Sequence, residues 1–543
     1  MLRLTNFPQS LDYTEASLHA ALLKKCGLPA ADLLEVTVVR RSVDARDKRD
    51  VHFVLTVDLR VREEAPLLKR CRFLSPAPVP KPNPLPAARF SARPLVVGAG
   101  PAGLFAALTL ARAGAQPVLI ERGRSVDQRR ADIDRLEQQG LLDPESNVQF
   151  GEGGAGAFSD GKLTCGVKSP YLREILETFV AHGAPPEILI DQKPHIGTDR
   201  LRGVVASIRE EILRLGGEVR FETRLERLLI HNGRVAGAEL AYRPAGLPES
   251  DTSWPDGKFL QEEFLTDTVL LCIGHSARDT VQTLFAQGVL MAQKPFAMGV
   301  RIEHPRSLID RSQYGSFADH PALGAASYKL VCHTPDDRGV YTFCMCPGGR
   351  VIAAASQPGG VVTNGMSLHA RQDRNSNAAL LVGVRTEDFG DEHPLAGMLL
   401  QRRLERAAFR AAGGGFRAPA QRVEDFLADR ETKAFGEVLP SYLPGVVPCD
   451  LRAVLPDFFA QNIKLAIPVL DRQLHGFALP DAVLTAPETR SSSPVRLLRT
   501  AEGISETLPG LYPVGEGAGY AGGIVSAAID GIEAARKALI TFS

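Results

Sequence analysis

Apolar and polar positions alternate differently in successive blocks of the chain. In residues 1–72 the pattern predicts a small α+β module with strands at 1–6, 33–41 and 51–61 and a helix at 14–26. The order strand, helix, strand, strand is typical of a ferredoxin-like half. From residue 91 onward, short unbroken apolar runs alternate with helical patterns, which indicates parallel strands buried on both faces.

Two features of the N-terminal block suggest how it connects to the rest of the chain. Prolines at every second position from 76 to 86 favour an extended spacer, so we expect a linker over residues 73–90. A mixed charge run from Arg40 to Asp50 joins two predicted strands. Two interpretations are compatible with it: a solvated hairpin tip, or a loop that docks or binds a ligand.

A G-x-G-x-x-G pattern follows the apolar run 95–97 and opens an Ala-rich helix. Gly98 permits a tight turn, Gly100 lets the backbone approach a pyrophosphate, and Gly103 lets the helix lie close to the sheet. The free N–H groups of the helix then face the phosphates. A second apolar run, 117–120, ends at Glu121, where an acidic residue is placed to bind ribose hydroxyls.

A second glycine-rich segment lies between residues 147 and 166. Gly153, Gly154 and Gly156 occur close together between Phe150 and Phe158. Such glycine density allows backbone to lie against a flat or phosphorylated group. We expect a ligand-contacting loop, and a tight structural turn is the alternative.

Further elements complete the predicted α/β block over residues 91–290. An amphipathic helix is predicted at 198–215, and Asn232-Gly233 predicts a type I′ hairpin between strands 225–231 and 234–240. A polar loop is expected at 241–262. The apolar run 268–273 then ends in Gly274 and His275, beside the predicted nucleotide.

Residues 291–480 change in character, with strand-like segments, many turn residues and few long helical patterns. We expect a separate domain that covers the cofactor. Cys344 and Cys346 are two apart on a predicted strand and so share one face. A basic helix is predicted at 401–410.

The C-terminal block, residues 481–543, repeats the opening theme. The apolar run 511–514 meets Gly515, Glu516 and Gly517, and an Ala-rich helix begins near Gly522 and Gly523. A second helix N-terminus is thereby aimed at an anion.

The amino-acid composition limits the classes of binding partner that we expect. The 543 residues carry 63 Lys plus Arg and 63 Asp plus Glu. Because these charges balance, the net charge of the protein does not attract a nucleic acid or an anionic membrane, which argues against both as partners. No apolar leader or membrane span is apparent, so we expect a cytoplasmic location. Eight scattered cysteines favour reduced thiols, and the absence of Cys/His clusters with zinc spacing predicts no metal site.

The chain resembles the single-Rossmann flavoproteins of the glutathione-reductase-like superfamily. More closely, it resembles a largely uncharacterised family of FAD-dependent dehydrogenases from bacteria and plant plastids. The segments that carry this resemblance are QFGEGGAGAFSDGKL, IGHSARDT, KPFAMGVRIEHP, VYTFCMCPGG, VVTNGMS, SSSPVRLLR and VGEGAGYAGGIVSAAIDG.

The resemblance implies an α/β fold in which a Rossmann-like FAD-binding domain contains a parallel sheet and a β-meander or hairpin insertion. It places an inserted α+β substrate domain at 291–480 and the small ferredoxin-like module at 1–72. FAD is the implied cofactor, held without a covalent bond. The residues implied to contact it are Gly98, Gly100 and Gly103 (pyrophosphate), Glu121 (ribose), Leu225 (adenine, through its backbone), Gly153, Gly154 and Gly156 (isoalloxazine), Gly274 (nucleotide), Gly515, Glu516 and Gly517 (ribityl side), and Gly522, Gly523 and Ile524 (flavin O2 region).

The predicted function is an FAD-dependent oxidoreductase acting on a small organic substrate, either as a dehydrogenase or as a reductase of unsaturated rings. NADH or NADPH can act as a transient reductant without a second dinucleotide domain. The competing hypothesis is a flavin-bearing partner- or RNA-binding protein in which residues 1–72 do the recognition.

Four residues are candidates for catalysis, each with an alternative. Cys344 and Cys346 are a redox pair or packing residues. Lys162 polarises a substrate or stabilises an anionic flavin, or else is a phosphate contact or surface charge. His275 is a proton donor or a histidine satisfied by the backbone.

Overall fold

The computed structural model describes residues 1–79, 83–243 and 259–541. Its N-terminal module contains β1 (Leu2–Gln9), α1 (Glu15–Cys26), β2 (Leu33–Asp44), β3 (His52–Val61), α2 (Glu64–Arg70) and β4 (Leu74–Pro76). These strands form an antiparallel sheet in the order β2-β3-β1-β4. The sheet thus extends past residue 72 into the segment predicted as a linker, of which residues 80–82 lie outside the described part.

The charged segment at the end of β2 and in the turn to β3 contacts both the α/β block and the insertion. The Arg41 N–H donates to Ile190 at 2.7 Å, and the Arg41 guanidinium lies 2.9 Å from Asp191. Lys48 donates to the carbonyl of Ser312. The tip at residues 46–50 is exposed. The base of this loop and Lys48 therefore contact the rest of the protein, while the other residues of the tip are solvated.

The α/β block begins with a short strand, a helix and a second short strand. Its elements are β5 (Leu95–Val97), α3 (Pro101–Arg112), β6 (Val118–Ile120), α4 (Val126–Gln139), α5 (Leu172–Ala181), α6 (Thr198–Arg214), β7 (Glu218–Arg220), β8 (Thr223–His231), β9 (Arg234–Tyr242), β10 (Leu260–Leu265), β11 (Val269–Leu271) and α7 (Arg278–Ala286). Asn232 and Gly233 have φ values of 51° and 71°, as the predicted hairpin requires. Strand β10 adds a third antiparallel strand to this hairpin, and most of the predicted polar loop, 244–258, lies outside the described residues.

The insertion contains β12 (Met291–Gln293), β13 (Phe296–Pro305), α8 (Arg306–Tyr314), β14 (Val331–His333), β15 (Gly339–Cys346), β16 (Arg350–Ala353), β17 (Thr363–Met366), β18 (Asn375–Val384), α9 (Ala396–Ala411), β19 (Ala418–Arg422), α10 (Val423–Leu427), β20 (Val446–Pro448), α11 (Asp457–Gln473) and β21 (Val483–Glu488). Seven of the strands form one sheet in the order β14-β15-β18-β13-β21-β19-β20. Because β21 pairs with β13 and β19, this sheet continues past the expected boundary at residue 480.

The expectation of few long helices in this region was wrong. Helices α9 and α11 have 16 and 17 residues. Helix α11 contains Pro468, a residue that normally ends a helical pattern in a sequence. Its buried face, with Phe459, Ile463, Ile467 and Leu470, keeps the helical period across that proline. Burial of this face against the sheet therefore outweighs the local preference.

The C-terminal block contains β22 (Val495–Leu497), β23 (Leu511–Pro513) and α12 (Ile524–Thr541). Strand β23 completes a parallel sheet in the order β23-β11-β5-β6-β7, which confirms the predicted parallel sheet. Helix α12 crosses α3 so closely that a Cβ on Gly531 would lie 2.2 Å from the carbonyl oxygen of Ala102. Within the described residues, no helix is both long enough and apolar enough to cross a membrane.

A buried ion cluster joins the insertion to the parallel-sheet domain. Glu405 of α9 accepts from Arg278 of α7 through both carboxylate oxygens, at 2.8 Å each, and from Arg490 at 3.1 Å. All three side chains are buried. Burial acts to raise the pKa of Glu405, but the two guanidinium groups outweigh this effect and hold the pKa far below its usual value. Since an unpaired buried charge is costly, this cluster fixes the two domains relative to each other.

Candidate functional site

A cleft of about 720 Å³ lies between the parallel sheet and the insertion. One wall is formed at the ends of β5 and β6, at Val97 and Ile120, and just after β11, at Ile273. The opposite wall is formed by β15, β17 and the end of β21, with residues 342–346, 364–365 and 488. The carboxyl edge of a parallel sheet is where such folds bind nucleotides, and the volume is typical of a ligand site.

The first glycine turn forms one side of this cleft. Gly98 has φ +100°, and a Cβ there would lie 2.8 Å from the carbonyl oxygen of Cys272. Gly100 is the N-cap of α3, where no side chain caps the helix and Pro101 has no N–H to satisfy. Gly98 and Gly100 line the cleft, whereas Gly103 packs behind them. The turn therefore presents unpaired backbone N–H groups of α3 to the cleft, as an anion site requires.

Glu121 holds this turn in place from the end of β6. Its carboxylate accepts hydrogen bonds from the N–H groups of Ala99 at 2.8 Å, Gly123 at 2.9 Å and Gly151 at 2.9 Å. The side chain is buried but lines the cleft. A carboxylate has about four acceptor positions, so about one remains for a ligand hydroxyl. Glu121 thus lines the cleft and can still accept a hydrogen bond, as the predicted ribose contact requires.

Arg129 of α4, which the sequence did not single out, organises the second glycine-rich loop. Its guanidinium is fully buried and donates to five backbone carbonyls, those of Asn147, Val148, Gly151, Glu152 and Gly154. A Cβ on Gly154 would lie 3.1 Å from Cα of Gly100, so this loop lies directly against the first turn. Arg129 therefore fixes the path of the loop beside the α3 N-terminus.

The other residues assigned to the cofactor fall into two layers. Those that line the cleft are Gly154, Gly156, Leu225, Gly274, Glu516, Gly522, Gly523 and Ile524. Those that pack behind it are Gly153, Gly515 and Gly517. A Cβ on Gly517, for example, would lie 1.9 Å from the carbonyl oxygen of Ile273. The C-terminal turn and the N-terminus of α12 thus face the same cleft as the first turn.

His275 is held by a carboxylate rather than by the backbone. Its Nδ1 lies 3.1 Å from Oε1 of Glu516, and its buried Nε2 has no hydrogen-bond partner among the described residues. Both side chains line the cleft. A buried polar atom normally finds a partner, so this nitrogen marks a position where a bound ligand fits.

Cys344 and Cys346 do not lie on a regular strand. The pairing of β15 with β18 shifts between Phe343 and Cys346, and Cys344 has φ +39°, a left-handed conformation that is strained for a non-glycine residue. Strand alternation therefore does not hold across this bulge. Both thiols nevertheless line the cleft, and only Cys344 is exposed to it.

We expect the Cys344 thiol to be unreactive at neutral pH. Although it faces the cleft, the surrounding protein withdraws it from bulk water, and this desolvation raises its pKa to about 12. Because the thiolate is the nucleophile, alkylation by iodoacetamide should be at least about 100-fold slower than for free cysteine. Mass spectrometry of the labelled protein measures this, with the unfolded protein as the control. Labelling at the rate of free cysteine would show that the thiol is activated.

Glu488 and Arg301 form a buried pair at the insertion wall. Arg301 of β13 is fully buried, and its Nη1 lies 3.5 Å from Oε1 of Glu488, which lines the cleft. Burial raises the pKa of Glu488 to about 7, although Arg301 acts to lower it. Glu488 therefore exchanges a proton near neutral pH, which the sequence did not indicate.

This pKa makes protein stability depend on pH through Glu488. Between its ordinary value of 4.5 and about 7, the folded protein keeps a proton that the unfolded chain releases. Wild-type stability should therefore fall relative to Glu488→Gln as pH rises through this window, by on the order of 3 kcal/mol. Urea unfolding of both proteins at several pH values measures the difference. Parallel pH profiles for the two proteins would contradict this assignment.

A group of charged side chains lies where the cleft meets the segment around residue 160. Asp160 accepts from Arg371 at 2.6 Å and from the hydroxyl of Ser367, and its carboxylate lies 4.0 Å from the ammonium of Lys162. Lys193 donates to the hydroxyl of Ser327 at 3.0 Å. Asp160, Lys162, Lys193 and Arg371 all line the cleft, and only Lys162 was a candidate from sequence.

Two further observations concern metal ligands and disulfide bonds. Among the residues that the structure describes, no group of three or more His, Cys, Asp and Glu side chains is placed to hold a metal ion. All eight cysteines are unpaired.

Three segments of the chain match known protein families. Residues 295–491 match a family described as FAD-dependent protein, C-terminal domain-like, and residues 92–141 match an FAD binding domain. Residues 1–60 match a domain of unknown function. The two FAD-related matches contain residues from both walls of the cleft.

Individual relatives show how far the similarity extends. An uncharacterized protein of Clostridium beijerinckii is 44% identical over 546 residues, covering 100% of this chain and 99% of that relative. Thiamine thiazole synthase of Aeropyrum pernix is 30% identical over 203 residues, covering 37% of this chain and 60% of that relative. Among solved structures, CtdE in complex with FAD is 10% identical, with a TM-score of 0.28 and coverage of 81% of this chain and 82% of CtdE.

Proposed function

Since the chain belongs to an uncharacterised family of FAD-dependent proteins, we propose that it is an FAD-dependent oxidoreductase that acts on a small organic substrate. The cofactor is FAD. One observation carries the proposal: the cleft has the two glycine turns on one wall and titratable side chains of the insertion on the other. The substrate would bind between FAD and the insertion, which we assign as the substrate domain from 291 through the end of β21.

The residues present fit FAD along the length of the parallel-sheet wall. We assign Gly98 and Gly100 to the pyrophosphate, Glu121 to the ribose and the backbone of Leu225 to adenine. Gly154 and Gly156 would pack against the flavin, and the N-terminus of α12 would face its O2 side, where a helix dipole favours negative charge. FAD supplies hydride and one-electron chemistry when bound. No covalent attachment is needed in this arrangement.

In this arrangement the chain's own side chains donate or accept protons and keep water out of the cleft. His275, oriented by Glu516, offers Nε2 for proton exchange, and Glu488 offers a carboxyl group on the opposite wall. Which of them serves the substrate depends on the reaction direction. Cys344 and Cys346 remain protonated at neutral pH, since burial raises the pKa of both thiols, so we assign them to shaping the cleft.

Half-reactions test this function. The holoprotein is mixed anaerobically with NADH or NADPH, and bleaching of the flavin absorbance reports its reduction. Reduced protein is then mixed with unsaturated or aromatic acceptors, and oxidised protein with candidate donors, to separate a reductase from a dehydrogenase. A chemical reductant serves as the control that the bound flavin can be reduced. If it can, but none of the organic donors reduces the flavin and none of the acceptors reoxidises it, the result would contradict an enzymatic role.

The competing function, a partner- or RNA-binding protein, has less support from the geometry. It rests on the charged loop 40–49 and on the basic helix near Arg402, but the base of the loop contacts Asp191 and Ile190, and Lys48 contacts Ser312. The module would thus brace both walls of the cleft, and a protein partner would use its remaining surface. We further propose a cytoplasmic location, which the eight unpaired cysteines support.

A further inference from the structure

We infer that Lys162, Lys193 and Arg371 form a binding site for an anionic group of the substrate, which makes the substrate an organic carboxylate or phosphate. This inference rests on the proposed function and specifies its substrate class. These three residues are called the cationic recess below.

The recess is assembled from both walls of the cleft. Lys162 and His195 form an isolated β-bridge, which places Lys162 beside the segment that carries Lys193. From the insertion, Ser327 accepts from Lys193, and Arg371 binds Asp160. The imidazole of His195 stacks on that of His369 with ring centres 5.2 Å apart. Side chains of both domains therefore define the recess.

The charges of the recess are not balanced within it. Three cationic side chains face one carboxylate, that of Asp160, which is already bonded to Arg371 and Ser367. The ammonium of Lys162 is 4.0 Å from Asp160, too far for a hydrogen bond, and 28% of its side chain is exposed. On the insertion wall, the carboxylate of Glu488 faces Arg301 and not the recess. Two positive charges therefore remain for a ligand to neutralise.

The titration behaviour of neighbouring groups agrees with this excess. Burial, followed by the charges of Lys162 and Arg371, lowers the pKa of Lys193. Burial and Arg371 also lower the pKa of His195 to about 4, so this ring stays neutral and adds no charge at neutral pH. Because mutual repulsion of partly buried charges is costly, an anion between them gains affinity.

The recess is separate from the elements that suit the cofactor phosphates. Those elements are Gly98, Gly100 and the N-terminus of α3, at the end of β5. The recess instead involves Ser327, Ser367 and His369 of the insertion. The helix dipole of α12 already favours negative charge near the flavin. The anion that the recess suits is therefore carried by the substrate.

Three probes of similar shape test the inference on the holoprotein. Benzoate, phenyl phosphate and uncharged benzamide are titrated at constant ionic strength, with the flavin spectrum and thermal unfolding both recorded. We expect saturable binding of at least one anion, at least about ten-fold tighter than that of benzamide. The tighter anion distinguishes a carboxylate from a phosphate substrate. Benzamide binding as tightly as the anions, or no binding of either anion, would overturn the inference.

Variants locate the site. Lys162→Met and Lys193→Met should each weaken the anion at least about ten-fold, while Lys168→Met, an exposed lysine outside the cleft lining, should not. Unchanged anion affinity in both recess variants would overturn the inference. If Lys162→Met lowers the flavin reduction potential without changing anion affinity, the recess serves the flavin, and the inference fails while the proposed function stands. The thermal readout works without flavin, so a failure to hold FAD would count against the proposed function alone.

Discussion

Gly103→Ala is expected to abolish FAD binding and to leave little correctly folded protein. A Cβ at this position would lie 1.8 Å from the carbonyl oxygen of Gly98 and 3.3 Å from Cβ of Cys272. Either α3 moves away from the sheet or the turn at Gly98 changes shape, and both displace the N–H groups that face the cleft. Overpacking alone costs about 1–3 kcal/mol. The FAD content per chain and the thermal unfolding midpoint of the purified variant measure this effect.

Gly203→Ala is the matched control. Gly203 lies in α6, and a Cβ there would meet no atom within 4 Å. Alanine in a helix interior is favoured over glycine by about 1 kcal/mol, so this variant should bind FAD normally and unfold at a slightly higher temperature. A Gly103→Ala protein with full FAD content and unchanged stability would show that the turn is not packed as described.

Arg129→Met is expected to have the second large effect. It removes the donors to five backbone carbonyls of the loop 147–154, four of them in fully buried hydrogen bonds, while retaining a long apolar side chain. Each buried acceptor left unpaired costs about 1–3 kcal/mol, so the free energy of unfolding of this domain should fall by several kcal/mol. Because Gly154 lies against Gly100, FAD affinity should fall as well. Chemical unfolding and FAD titration of the reconstituted variant measure the two losses.

The neighbouring Arg130 provides the comparison for this variant. It lies on the same helix and forms an i, i+4 ion pair with Asp134, in which both side chains are about one-third exposed. Pairs of this kind contribute about 0.3–0.5 kcal/mol, so Arg130→Met should change stability little and leave FAD binding intact. Equal effects of the two substitutions would mean that a general loss of positive charge on α4, rather than the loop contacts, is responsible.

Features encoded by adjacent residues were predictable from the sequence. Helix α6 spans Thr198–Arg214, within one residue of the predicted 198–215, and Asn232-Gly233 forms its hairpin with both residues at positive φ. The turn at Gly98 and the start of α12 just after Gly523 also lie where the glycines indicate. In each case the backbone conformation depends on the residues at that position, through turn preference, period or the lack of a Cβ.

Features that depend on distant residues were not predictable. The importance of Arg129 becomes visible only when the loop 147–154 folds over it, and the charge of Arg371 acts on Lys193 although the two residues are 178 positions apart. The bulge at Cys344 depends on the register with β18, and the pKa of Glu488 on burial beside Arg301. Single-sequence patterns carry no information about such pairings, because these energies arise from tertiary contacts.

The FAD content of the purified full-length chain tests the central claim most directly. The claim is that one FAD is held without a covalent bond in the cleft closed by the two glycine turns and the insertion. After reconstitution with excess FAD and removal of the unbound cofactor, we predict a flavin spectrum and the release of one intact FAD per chain on denaturation. Colourless protein that cannot be reconstituted, or flavin that stays attached to the denatured chain, would contradict the account.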